Sequence, residues 1–157
     1  MALLQIHDPL NPKGHAVGID LGTTHSLVAA VAHGRPRCLE ADGDHGLLLP
    51  SVVHYVKDGS VVVGYWARKV AAQHPTDTIV SVKRFMGKSL SDPETRKLGA
   101  YRFAGENGPV RFQVAGGHPV TPVEVSAEIL RALKRRAEAH FNGKVEQAVI
   151  TVPAYFD

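Results

Sequence analysis

Residues 121–152 constrain the fold of this 157-residue chain more than any other stretch. Thr121 is a good N-cap, Pro122 stands at the first helical position, and Glu124, three residues after the cap, completes a capping box. Ile129, Leu130, Leu133, Ala137 and Phe141 then recur at helical spacing. Asn142-Gly143 ends the helix, with the glycine suited to the left-handed position. Val145 to Val152 follows as an apolar strand, closed by Pro153. A helix feeding a buried strand usually returns that strand parallel to an earlier one. The expected fold is therefore α/β, a mixed sheet with a helix packed on it.

The earlier strands of that sheet are sought upstream. His15 to Asp20 is a short apolar strand, Leu21 to His25 a tight turn, and Ser26 to Ala32 a second strand. Arg37 to Ala41 reads as a third. Residues 1–14 carry Pro9, Pro12 and Gly14 and read as an irregular arm. Residues 51–120 look like a smaller inserted α/β unit. Ser51 to Lys57 and Ser60 to Gly64 are strands around Asp58-Gly59, and Tyr65 to Gln73 is helical. Thr78 to Gly87 is read as another short helix with Ile79, Val82, Phe85 and Met86 on one face; Tyr101 to Ala104 and Val110 to Ala115 form a hairpin.

Composition narrows the function classes. Hydrophobic residues at 44% and charged residues at 21% suit a soluble globular protein. One cysteine, Cys38, allows no internal disulfide and fits a reducing cytoplasm. The N-terminus lacks the apolar core of a signal peptide, and no run approaches the length of a membrane helix. The formal charge of +3 is spread out except for Arg131 and Lys134-Arg135-Arg136. Without interleaved aromatics these read as a solvated helix face, so neither nucleic acid nor a membrane is expected as a partner.

The local chemistry concentrates in Gly18-Ile19-Asp20-Leu21-Gly22-Thr23-Thr24-His25-Ser26. A phosphate needs several donors in a concavity, and the backbone amides of a tight glycine-containing turn supply them. Gly22 removes the Cβ that would block approach, and Thr23 and Thr24 add hydroxyls. Asp20, at the strand end, suits the hydration shell of Mg²⁺. An ordinary hairpin turn is the alternative. Gly87-Lys88-Ser89 imitates the end of a P-loop, but Val82 stands where its first glycine belongs. Lys83, in Ser81-Val82-Lys83-Arg84, could place a point charge on a γ-phosphate; on chemistry alone it reads as a snorkelling surface lysine. The nine histidines show no metal-ligand spacing, and there is no G-x-S-x-G elbow.

Ile19-Asp20-Leu21-Gly22-Thr23-Thr24-His25-Ser26 resembles the first phosphate motif of the DnaK-type, seventy-kilodalton heat-shock chaperones. Leu49-Pro50-Ser51-Val52-Val53, Ser81 to Gly87 and Val149 to Asp157 match that family in the same order. Met1 to Ile6 and Pro50 to Tyr55 resemble its HscA branch, specialised for iron–sulfur cluster assembly.

The resemblance implies the first lobe of an actin-like ATPase domain with a ribonuclease-H-like core. The core subdomain would comprise 15–50 and 121–157, and 51–120 would be inserted. It implies ATP/ADP and Mg²⁺ as cofactors. Asp20 would orient Mg²⁺ through water, and Gly22, Thr23, Thr24 and the backbone of His25 would hold phosphates. Lys83 would be the catalytic charge on the γ-phosphate, and Pro153 would couple nucleotide state to a substrate domain. His25 departs from the residue common at that place, where the backbone makes the contact. A J-domain co-chaperone and an iron–sulfur scaffold or unfolded client are the implied partners. The family's second phosphate motif, adenosine site, second lobe and peptide-binding domain would lie past Asp157. The domain is thus expected to be incomplete and catalytically incompetent by itself. A sugar or acetate kinase of the same superfamily and a non-catalytic interaction module are the alternatives.

Overall fold

The computed structural model describes residues 2–5, 15–32, 34–40 and 46–152. It divides into two compact units, one of residues 1–49 and 130–157, the other of residues 50–129. The second boundary falls inside a helix, later than the position 121 expected from the sequence.

The first unit is built on a sheet of β1 (Ala2–Gln5), β2 (His15–Asp20), β3 (His25–Ala32), β4 (Arg35–Cys38) and β9 (Val145–Val152), in the order β1-β9-β2-β3-β4. β9 runs parallel to β2, and the other neighbours are antiparallel. Burial alternates along β2 and β3, so Val17, Ile19, Val28 and Ala30 are buried. Leu133 and Ala137 of the long helix are fully buried in the same unit.

Two expectations for this unit are corrected. The arm was expected to be irregular, yet Ala2–Gln5 is a strand paired antiparallel with β9. Strand β9 has β2 on one side, and an unpaired edge on its other side would leave backbone groups without partners; the short run Ala-Leu-Leu-Gln supplies them. The third strand is Arg35–Cys38, nearer the turn than the Arg37–Ala41 expected. There it pairs residue for residue with Ala29–Ala32.

The second unit follows the two-residue β5 (Leu49–Pro50), the sixth strand of the first sheet, which pairs with β3. It then has a three-stranded antiparallel sheet, order β7-β6-β8, of β6 (Val52–Tyr55), β7 (Val61–Val63) and β8 (Thr78–Val80). Helix α1 (Tyr65–Val70) follows β7, and α2 (Pro93–Arg96) is a single turn capped by Asp92. Most of the core here comes from residues outside strands: Phe85 and Phe112 are almost wholly buried and meet edge to face at 5.0 Å, joined by Tyr101 and Phe103. Asp77 pins this irregular segment by accepting from Arg102 Nη2 (3.0 Å) and the Ala115 amide (2.9 Å). The expected hairpin reduces to the bridge Phe103↔Phe112, flanked by the bonds Ala104 N–H to Arg111 O and Gln113 N–H to Arg102 O.

Thr78 to Gly87 is not a helix. Thr78–Val80 is strand β8, Ser81 takes a left-handed conformation (φ 54), and Val82–Phe85 makes one 3₁₀ turn. The β-branched run Thr78-Ile79-Val80 finds a strand partner in β6, and the left-handed residue then redirects the chain. Ile79, Val82 and Phe85 are buried all the same. On β8, an outer strand, the Tyr101 hydroxyl accepts from the Val80 amide (3.0 Å) and donates to the Val80 carbonyl (3.3 Å). Burial pushes the Tyr101 phenol above its usual range.

Helix α3 (Pro122–Phe141) starts as the sequence dictates. Glu124 Oε2 accepts from the Thr121 amide (2.7 Å), and the Glu124 amide donates to Thr121 Oγ1 (3.2 Å). Its end differs in one residue. Asn142, not Gly143, is left-handed (φ 47); its amide donates to Ala139 O and that of Gly143 to Glu138 O. This is the Schellman arrangement, and asparagine tolerates it better than most residues with a Cβ. The basic cluster is only partly a solvated face. Lys134 pairs with Glu138, while Arg136 donates to the Leu47 carbonyl at 2.8 Å and is part-buried.

Candidate functional site

The site is built at one end of the first unit, where the parallel strands β2 and β9 finish side by side. Ligands of open α/β sheets bind outside the carboxyl ends of parallel strands. Asp20 is the last residue of β2, and its register partner on β9 is Thr151. The Thr151 hydroxyl donates to Asp20 Oδ1 at 2.5 Å, the length of a strong bond to a carboxylate.

The chain then turns through Leu21–Thr24 into β3. A Cβ at residue 22 would stand 2.0 Å from the His25 carbonyl oxygen, so only glycine fits this turn. Ser26, buried at 1%, closes it from inside: its Oγ accepts from the Gly22 amide at 3.2 Å. Gly22 was expected to give an amide to phosphate. In this structure that amide donates to Ser26 Oγ, and Gly22 leaves the space that a Cβ would fill. Thr23 and Thr24 are exposed, and His25, half-buried, begins β3.

One carboxylate, anchored through one oxygen and half-buried at a strand end, fits Mg²⁺ held through water better than a dehydrated metal in a protein cage. Among the described residues no group of three or more His, Cys, Asp or Glu side chains could enclose a metal ion.

Lys83 belongs to the second unit, half-buried in the 3₁₀ turn Val82–Phe85. The backbone around it is fixed by buried Val82 and Phe85 and by the bond from the Arg84 amide to Ser81 O (3.0 Å). Pro153 lies outside the described residues.

Two supporting residues escaped sequence reasoning. Ser26 had a local signal, a hydroxyl entering an otherwise apolar strand. Thr151 had only its place in Ala148-Val149-Ile150-Thr151-Val152, and its partner is 131 residues away. Among the described residues no helix is long and apolar enough to cross a membrane.

The family model described as Hsp70 protein matches residues 16–157, which take in β2 from its second residue, the turn, Lys83 and β9. Chaperone protein HscA homologs of Laribacter hongkongensis and Azoarcus sp. are 53% and 52% identical over the whole chain, and that of Methylococcus capsulatus is 48% identical over 99% of it. The chain spans about a quarter of the length of these curated relatives. The match sets aside the sugar- or acetate-kinase alternative and gives the two units their context: the first lobe of an actin-like ATPase fold, in part. With an acid-glycine-threonine turn at the strand ends and relatives of this similarity along its full length, the chain belongs to the Hsp70 family.

Proposed function

We propose that Asp20, Gly22, Thr23, Thr24 and the backbone of His25, with Lys83, supply part of an ATP phosphate site, and that the protein works as an ATP-hydrolysing chaperone. The observation that carries this reading is the turn itself. It places a half-buried carboxylate, a glycine with no room for a Cβ and two exposed threonines in sequence at the ends of two parallel strands. Asp20 would hold Mg²⁺ through water, and the bound ion neutralises charge on the phosphate oxygens. Thr23 and Thr24 would donate to the phosphates, and Lys83 would stabilise charge developing on the γ-phosphate as ATP becomes ADP and phosphate. Pro153, the residue after β9 in the sequence, would relay nucleotide state to a peptide-binding domain.

The similarity to HscA homologs supports iron–sulfur protein maturation as the setting. A J-domain co-chaperone, an iron–sulfur scaffold client and a cytoplasmic location follow from that reading. Phosphoryl transfer needs positioning from several sides at once, so residues 1–157 alone should turn ATP over very little.

The test is amide chemical-shift mapping of 1–157 with Mg-ATP. Shifts at residues 20–26 and near Lys83, lost in Gly22→Val, are expected. No shift at millimolar nucleotide would favour a non-catalytic interaction module for this stretch. Appreciable ATP turnover by 1–157 that Lys83→Ala abolishes would refute the expected inactivity.

A further inference from the structure

A carboxylate at the end of a strand can swing about two side-chain torsions, and a cation held through water needs it to stand still. Asp20 is held by Thr151, its partner in the parallel register, through a 2.5 Å bond from the hydroxyl to Oδ1. We infer that Thr151 is a positioning residue for the cation-binding carboxylate. The inference rests on the reading of Asp20 as the magnesium-orienting group.

Three features of the contact suit that role. A hydroxyl is a neutral donor, so it fixes one oxygen without cancelling the negative charge that attracts a cation; a lysine or arginine there would cancel it. A carboxylate has about four lone-pair sites, so one bond at Oδ1 leaves acceptor capacity for metal-bound water. Threonine is β-branched and stiff in a strand, so the direction of its hydroxyl follows from the backbone of β9. The orientation of Asp20 therefore depends on the register of β9 against β2, which their ladder from Ala16↔Gln147 to Asp20↔Thr151 fixes. A bond between two side chains 131 residues apart, at the open end of a parallel pair, is needed by neither strand's backbone ladder. Its effect is on the carboxylate.

The experiment is titration of isotope-labelled 1–157 with Mn²⁺ alone, standing in for Mg²⁺, read as paramagnetic broadening of individual amides. In the unsubstituted protein, broadening is expected at residues 20–24 and 151. Thr151→Val should raise the Mn²⁺ concentration for half-broadening about tenfold, the scale on which partners of metal-binding groups act, while Thr151→Ser stays within about twofold. Should Thr151→Val lose the dispersed spectrum of a folded protein, Thr151→Ala read against Thr151→Ser supplies the same comparison. Equal half-broadening concentrations for hydroxyl and non-hydroxyl variants would overturn the role of Thr151 and leave Asp20 as a cation site. No localised broadening at 20–24 in the unsubstituted protein would overturn the magnesium reading, and this inference with it.

Discussion

The two units of this chain reach a buried core by different means. In the first, the core residues sit at alternate positions of β2 and β3 and at helical spacing on α3, so regular backbone and apolar pattern coincide. In the second, three strands of three or four residues supply Val53 and Ile79 but leave much of the core to Phe85, Phe112, Val110 and Leu90, which lie in a 3₁₀ turn or in irregular backbone. The first kind of core is specified by periodicity. The second is specified by aromatic shape, edge-to-face contacts and a few side-chain anchors such as Asp77.

The strongest attempt to break this contrast is to empty each core in turn. Phe112→Ala should cost about 3–5 kcal/mol and Leu133→Ala about 2–5 kcal/mol. Site-resolved amide exchange should show the first loss at β6 and β8 and the second at β2 and β3. Equal loss in both units from either substitution would show that the two cores do not fail separately. A smaller effect is expected at the start of α3, whose residues 122–129 fall in one unit and 130–141 in the other. Thr121→Ala should cost about 1 kcal/mol in chemical denaturation. It sharpens the comparison if residues 122–129 lose exchange protection before 130–141 do.

The smallest effect concerns acid. The hydrogen bonds from the Thr121 amide and hydroxyl hold the Glu124 carboxyl below its usual range. A carboxyl whose folded value lies below its unfolded one stabilises the protein above the unfolded value, near 4.5. That contribution fades as pH falls through the folded value. Because Glu124 is exposed, the effect should be slight. Melting temperatures of the unsubstituted protein and of Glu124→Gln should differ at neutral pH and converge in acid. A difference that persists below pH 3 would count against the capping bond as its source.

The same contrast explains what could be read from the sequence. The turn at Asp20–His25, the capping box at Thr121 and the parallel return of Val145–Val152 are local or periodic, and each was legible. The segment from Thr78 to Gly87 was misread because Ile79, Val82 and Phe85 are spaced as on a helix. A strand, a left-handed Ser81 and a 3₁₀ turn bury the same three residues. Gly143 was read as the left-handed residue that ends α3, but the hydrogen-bond pattern gives that place to Asn142. In the candidate site, the residue types at 20–24 carried the signal for phosphate and cation. What holds them did not, because the Gly22 amide turns inward to Ser26 and the Thr151 contact joins distant parts of the chain.

The phenol of Tyr101 has a consequence for how copies of this protein meet. It occupies both main-chain hydrogen-bonding groups of Val80, an apolar residue 39% exposed on an outer strand of a small sheet. Such a border would otherwise be a template for another chain to add to. One ring, packed against Phe85 and Phe112, denies the main chain of that residue to an incoming strand while its apolar side chain stays at the surface.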